Sequence, residues 1–130
     1  MIEVGAQLAK EHGFTNLEFR QGDLEEPPIA DSSIDLAVFS QALHHASSPP
    51  KAIAAARRIL RPGGRVVILD LLAHGFEPAR ELYADLWLGF SEVELLHLLE
   101  QGGFRENEAQ VVSRELNSPY FQTVLATGVK

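Results

Sequence analysis

Two apolar runs, and the helix-length stretch between them, constrain this chain more than any other feature. Ile34–Phe39 is broken only by Asp35, and Arg65–Leu69 is apolar after its first residue. Such runs suit strands covered on both faces, as in a parallel sheet, rather than strands with one wet face. Between them, Ser48 stands as an N-cap with Pro49 in the first turn. Ile53, Ala56 and Leu60 supply a buried helix face, with Arg57 and Arg58 near the negative end of its dipole. Arg61-Pro62-Gly63-Gly64 then reads as the turn into the second run. Strand, helix and strand in this order make a parallel βαβ unit.

The flanking segments extend the pattern. Residues 3–12 read as a helix, with Val4 and Leu8 four apart and Gly13 as its stop. Leu17–Arg20 alternates as a short strand, and Gly22–Ser33 is a loop punctuated by Pro27, Pro28 and Asp31-Ser32-Ser33. Residues 77–87 read as a helix with Leu82, Leu86 and Tyr83 inward. Ser91 and Glu94 form a capping box for a helix that Gly102-Gly103 ends. Val111–Leu116 and Phe121–Thr127 read as strands of an antiparallel hairpin around Asn117-Ser118-Pro119. The expected fold class is α/β, a single domain over residues 1–130, with an antiparallel edge at its C-terminal end.

Composition narrows the function. With 130 residues the chain is large enough for one core, and its apolar (45%) and charged (22%) fractions are those of an ordinary globular protein. A formal net charge of -7 argues against nucleic acid and anionic membrane surfaces as partners, since both attract basic patches. The chain has no cysteine, which excludes disulfides, thiolate metal sites and a cysteine nucleophile. No apolar stretch is long enough to span a bilayer, so a cytoplasmic protein is expected.

Four segments taken together resemble the class I S-adenosylmethionine-dependent methyltransferases. Arg20-Gln21-Gly22-Asp23-Leu24 is similar to the loop that closes that family's third strand. Pro27–Ser33 resembles its link into strand four, Ile34–Phe39 that strand, and Ala52–Gly64 the following helix with its Pro-Gly-Gly turn into strand five. The likeness covers nearly the whole chain and is closest to the small-molecule group. Leu69–Phe90 and Phe121–Lys130 look like methyltransferase domains fused to arsenic-repressor-type regulators. The resemblance implies a Rossmann-like methyltransferase sheet with S-adenosylmethionine as cofactor. Asp23 would accept from the adenine amine, the Leu24 backbone would border the ring, and Ser40 and Gln41 would lie near the cofactor at the carboxyl end of strand four. It also exposes a departure. The family's Gly-x-Gly cofactor loop has no counterpart here, because Gly5 and Gly13 follow no strand. The expectation is therefore a partial domain, truncated at its N-terminus.

His44-His45 supplies the candidate catalytic chemistry. On an extended segment the two side chains point opposite ways, so they do not share a metal, and no metal site is expected. One of them would face a small-molecule acceptor as base or orienting group; a loop histidine satisfied by backbone is the alternative. Asp35 is explained by solvent or a nearby arginine. Trp87, Tyr83 and Phe90 read as core packing before a pocket lid, and His12 and His97 as surface residues. Without the family's first strand, Ile34–Phe39 would present an unpaired apolar edge, and such edges recruit strands. Either Leu17–Arg20 moves in beside it or a second copy does, which leads to an expected homodimer through residues 34–39. Two functions compete: a methyltransferase acting on a small molecule, and a catalytically silent methyltransferase-like module that assembles with itself or a partner.

Overall fold

The parallel βαβ unit is present at the centre of the computed structural model, which describes residues 2–82 and 87–130. Strand β1 (Ile34–Ser40) pairs in parallel with β2 (Leu60–Leu71) across helix α2 (Pro49–Ile59). The Arg61–Gly64 turn is accommodated inside β2: Ile34 opposes Leu60 but Leu36 already opposes Arg65, so four residues bulge outward. Gly63 takes φ +82 in that bulge, and Lys130 closes it through two backbone bonds, to Gly63 N–H at 2.9 Å and from its own N–H to the Gly64 carbonyl at 2.8 Å.

Helix α1 (Ile2–Glu11) precedes the sheet, and α3 (Ala79–Leu82), α4 (Glu92–Gln101), β3 (Arg105–Arg114) and β4 (Gln122–Val129) follow the βαβ unit. The four strands lie in the order β1-β2-β4-β3, with β4 antiparallel to both neighbours. The expected C-terminal hairpin is therefore present, and β3 forms the antiparallel edge. It begins at Arg105 rather than Val111, because its first half (RENEAQ) is polar and largely exposed and carries no apolar run to betray a strand.

One expected strand does not form. Leu17–Arg20 joins no sheet; Phe19 instead lies against α1, so close to Gly5 that a Cβ there would lie 2.7 Å from its ring. Leu86 and Tyr83, expected to point inward, lie outside the described residues, as does most of the second half of the 77–87 helix.

The core lies on one face of the sheet. Phe39, Val66, Ile68, Val124 and Ala126 point into it and meet Ala52, Ile53 and Ala56 of α2 and Leu95 and Leu99 of α4. Pro49 and Pro50 open α2 where no N–H is needed, and the Ser48 side chain makes no capping bond. In α4, by contrast, the Ser91 hydroxyl accepts from Glu94 N–H at 3.0 Å, as its spacing predicts. Asp35 is exposed and paired with Arg61 at 2.9 Å, which accounts for a charge inside an apolar strand.

Candidate functional site

Because β1 and β2 are parallel, their carboxyl ends open on the same side of the sheet, where open α/β folds bind ligands. The chain leaves β1 through Gln41 at φ +52, a left-handed conformation that non-glycine residues seldom adopt. The Gln41 N–H donates to the Leu69 carbonyl at 2.8 Å, which ties this turn to the end of β2. Past it, Leu43–His45 forms a single 3₁₀ turn with Leu43 fully buried.

That turn brings His44 against the last residues of β2. Asp70 is 0% exposed and His44 5% exposed. Asp70 Oδ1 meets His44 Nδ1 at 2.6 Å and accepts the Leu71 N–H at 2.7 Å, while Oδ2 accepts the His44 backbone N–H at 3.1 Å. An ionised carboxylate only accepts, so the tautomer that hydrogen-bonds an ionised Asp70 is the one with its ring proton on Nδ1. The expected opposite orientation of the two histidines does not occur, since the segment is a 3₁₀ turn rather than extended. Their rings lie 4.0 Å apart at a 47° tilt, His44 inside and His45 exposed. Trp87 lies across the same turn, donating its backbone N–H to the His44 carbonyl at 3.0 Å and Nε1 to the Ala46 carbonyl at 2.9 Å.

Gly89 makes this arrangement possible. At φ +83 its Cα approaches β2 so closely that a Cβ would lie 2.6 Å from the Leu71 carbonyl. Phe90, next in the chain, is buried in the core as expected, whereas Trp87 is 43% exposed and walls a cleft of about 530 Å³ with Pro49, Val93, His97 and Leu98.

The cofactor candidates sit on a different side of β1. Asp23 and Leu24 line a cavity of about 380 Å³ that runs along β1, with Phe39 and Ala42 in its wall, the residues on either side of Ser40-Gln41. Arg20 shapes this loop, bonding the Pro28 carbonyl at 2.8 Å and Glu18 at 2.8 Å. Its hydrogen bond and charge hold the Glu18 carboxyl below the usual carboxylate range. Asp23 Oδ1 accepts the Glu25 N–H at 2.8 Å, fixing the turn. Asp23 and Leu24 are thus gathered at one cavity and His44 and His45 at the other end of the turn, with Ser40 and Gln41 between them in the chain.

Sequence reasoning missed Asp70. The available signal was its position: an acidic residue directly after an apolar parallel strand, at the end where ligands bind.

The methyltransferase domain family matches residues 1–68 of the chain. Uncharacterized protein YafE of Escherichia coli K12 is 35% identical over 88 residues, which are 68% of this chain and 40% of YafE. The ubiquinone/menaquinone biosynthesis C-methyltransferase UbiE of Haemophilus ducreyi is 33% identical over 84 residues, 64% of this chain and 32% of UbiE. The chain therefore spans well under half the length of these relatives. Among solved structures, the YcgJ protein of Bacillus subtilis superposes with a TM-score of 0.76 at 19% identity, covering 100% of this chain and 78% of YcgJ, a likeness of fold.

Proposed function

The chain belongs to the methyltransferase domain family, and from that premise we propose that it acts as an S-adenosylmethionine-dependent methyltransferase on a small molecule. The observation that carries the reading is the layout at the carboxyl ends of β1 and β2. A cavity bounded by Asp23 and Leu24 and a buried His44–Asp70 pair are joined by one short turn, Ser40–His45.

The cavity fits the proposed cofactor. Its volume of about 380 Å³ lies within the usual range for ligand sites, and its walls are mostly apolar. Asp23 spends Oδ1 on its own loop, so Oδ2 is the acceptor for the adenine amine, and the Leu24 backbone borders the ring. Ser40 and Gln41 lie between the wall residues Phe39 and Ala42, outside the cavity's own lining, and would offer the cofactor polar groups from there. When bound, the cofactor supplies a methyl group activated on a sulfonium. The chain's own contribution is to orient the acceptor and exclude water, the source of much of the rate in reactions between positioned groups. His44, with His45 beside it, serves as base or orienting group at the acceptor. The second cleft, beside Trp87 and about 530 Å³, supports a small apolar acceptor, and the acidic net charge favours such a molecule over nucleic acid.

A second reading is favoured by one observation: Leu36 and Val38 on edge strand β1 are each 54% exposed. A silent methyltransferase-like module that assembles through β1 would use that surface, and a homodimer through residues 34–39 is compatible with either reading. Calorimetric titration with S-adenosylmethionine and its demethylated product separates them. Micromolar binding is expected for the enzyme; absence of binding up to millimolar ligand overturns it in favour of the module.

A further inference from the structure

We propose that the cleft walled by Trp87 is a binding site for a small organic cation, an ammonium group carried on a planar apolar body. Trp87 is its aromatic partner and Glu94 its counter-charge. The inference deepens the methyltransferase reading by giving the acceptor a positive charge, and it rests on that reading for the ligand's role alone.

Trp87 is exposed yet held in place. Its backbone N–H donates to the His44 carbonyl at 3.0 Å and Nε1 donates to the Ala46 carbonyl at 2.9 Å. Its ring leans on Phe90, with centroids 6.4 Å apart and 29° between the planes. Since its one polar atom is already satisfied, the ring offers the cleft π surface. An aromatic face carries the negative part of the ring quadrupole and attracts cations, tryptophan most strongly. A ring fixed before binding also loses little freedom when a ligand arrives.

The charges around the cleft have the matching sign. Among the described residues that line it there is one carboxylate, Glu94, and no lysine or arginine. Helix α4, which carries Glu94, adds Glu92 and Glu100 and has no lysine or arginine along its length. An acid in a first helical turn also answers the helix dipole, but Glu92 does so from outside the cleft. The Glu94 backbone N–H is capped by Ser91, and its carboxylate has no hydrogen bond or ion pair among the described residues. His97, one turn further along α4, and Ser48, whose hydroxyl caps nothing, add hydrogen-bonding groups to the same lining. Lys51 is exposed beside Pro50 and lies outside that lining. The rest of the wall, with Pro49, Val93 and Leu98, is apolar, so the ligand carries its charge on an apolar frame.

The chain has a single tryptophan, so intrinsic indole fluorescence reads this cleft directly. Probes of one shape separate charge from apolar contact at neutral pH: phenethylamine as the cation, phenethyl alcohol as the neutral form and phenylacetate as the anion. The amine should change Trp87 emission saturably, and the alcohol should bind at least about tenfold more weakly. Phenylacetate should have no saturable effect. Glu94→Gln keeps the backbone cap; it should weaken the amine about tenfold and leave the alcohol within about twofold. Equal affinities for amine and alcohol, or tighter binding of phenylacetate, overturn the proposal in the unaltered chain, with no variant needed. A Glu94→Gln chain that binds the amine undiminished overturns it as well. So does emission that shifts on concentrating the chain without a probe, since a second copy would then cover the cleft. Calorimetric titration with S-adenosylmethionine separates the two claims. Cofactor binding without amine binding sinks the cation site and leaves the methyltransferase reading; amine binding without cofactor binding does the reverse.

Discussion

Asp70 receives three N–H donors in a site from which water is excluded, and each donor would be left without an acceptor if the carboxylate were removed. An unmade buried hydrogen bond costs more than a made one contributes. Asp70→Ala should therefore destabilise the fold by about 3 kcal/mol, read as a lower urea midpoint at unchanged slope. Gly89 poses the complementary case, because its need is for space rather than for a partner. With φ +83 and a would-be Cβ 2.6 Å from a backbone carbonyl, Gly89→Ala combines a left-handed penalty with a clash that no side chain can relieve. A loss of at least about 2 kcal/mol is expected, measured by thermal unfolding; a change under half that would mean that the 87–90 segment shifts freely away from β2. These two residues also mark the limit of sequence reading. His44 and His45 stood out by their adjacency after an apolar strand. Asp70 did not, because its partner is 26 residues away and no local spacing encodes a contact made by parallel pairing. Gly89 carried no turn signature either; the close approach that requires it exists only once β2 is in place.

Helices and strands were legible where one local signal dominated. α4 is bounded by Ser91 and by Gly102-Gly103, and its cap forms as the spacing implies. α2 starts at the expected residue for a different reason: Pro49 and Pro50 remove the need for a cap acceptor, and the Ser48 side chain makes no such bond. The two serines should thus respond differently. Ser91→Ala is expected to cost about 1 kcal/mol and Ser48→Ala no more than a few tenths, compared by chemical denaturation in the same buffer. Equal losses would mean that Ser48 caps its helix in solution after all. Strand edges were harder. β3 is an edge strand exposed along much of both faces, so the residues before Val111 obey no apolar period, and the strand is set instead by its ladder with β4. Leu17–Arg20 failed in the opposite direction: it has the alternation of a strand, but Phe19 lies against Gly5 of α1 rather than in a sheet.

At the scale of the whole molecule, the core cluster of the described residues lies against one face of the sheet. α2 and α4 bury Phe39, Val66, Ile68, Val124 and Ala126, whereas Leu36 and Val38 on the opposite face of β1 stay half exposed beside partly buried Val67 and Leu69. Parallel strands are ordinarily buried on both sides, and β1 also lies at the end of the strand order. A free apolar edge of this kind is a template for another strand. For the proposed homodimer through residues 34–39, light scattering should give a mass near twice the 14.3 kDa of the chain, falling toward one chain on dilution. Lysine at both exposed positions, Leu36→Lys with Val38→Lys, should hold the chain at a single mass at every concentration. The fold should lose little, because neither side chain reaches the core cluster. A concentration-independent mass of 14.3 kDa in the unaltered chain would rule the dimer out, as would a double-lysine chain that still doubles. The pairing also bears on the cofactor, since Leu36 and Val38 line the same cavity as Asp23 and Leu24. If a second copy completes that cavity, S-adenosylmethionine should raise the dimer fraction, and the double-lysine chain should lose cofactor affinity and the doubled mass together.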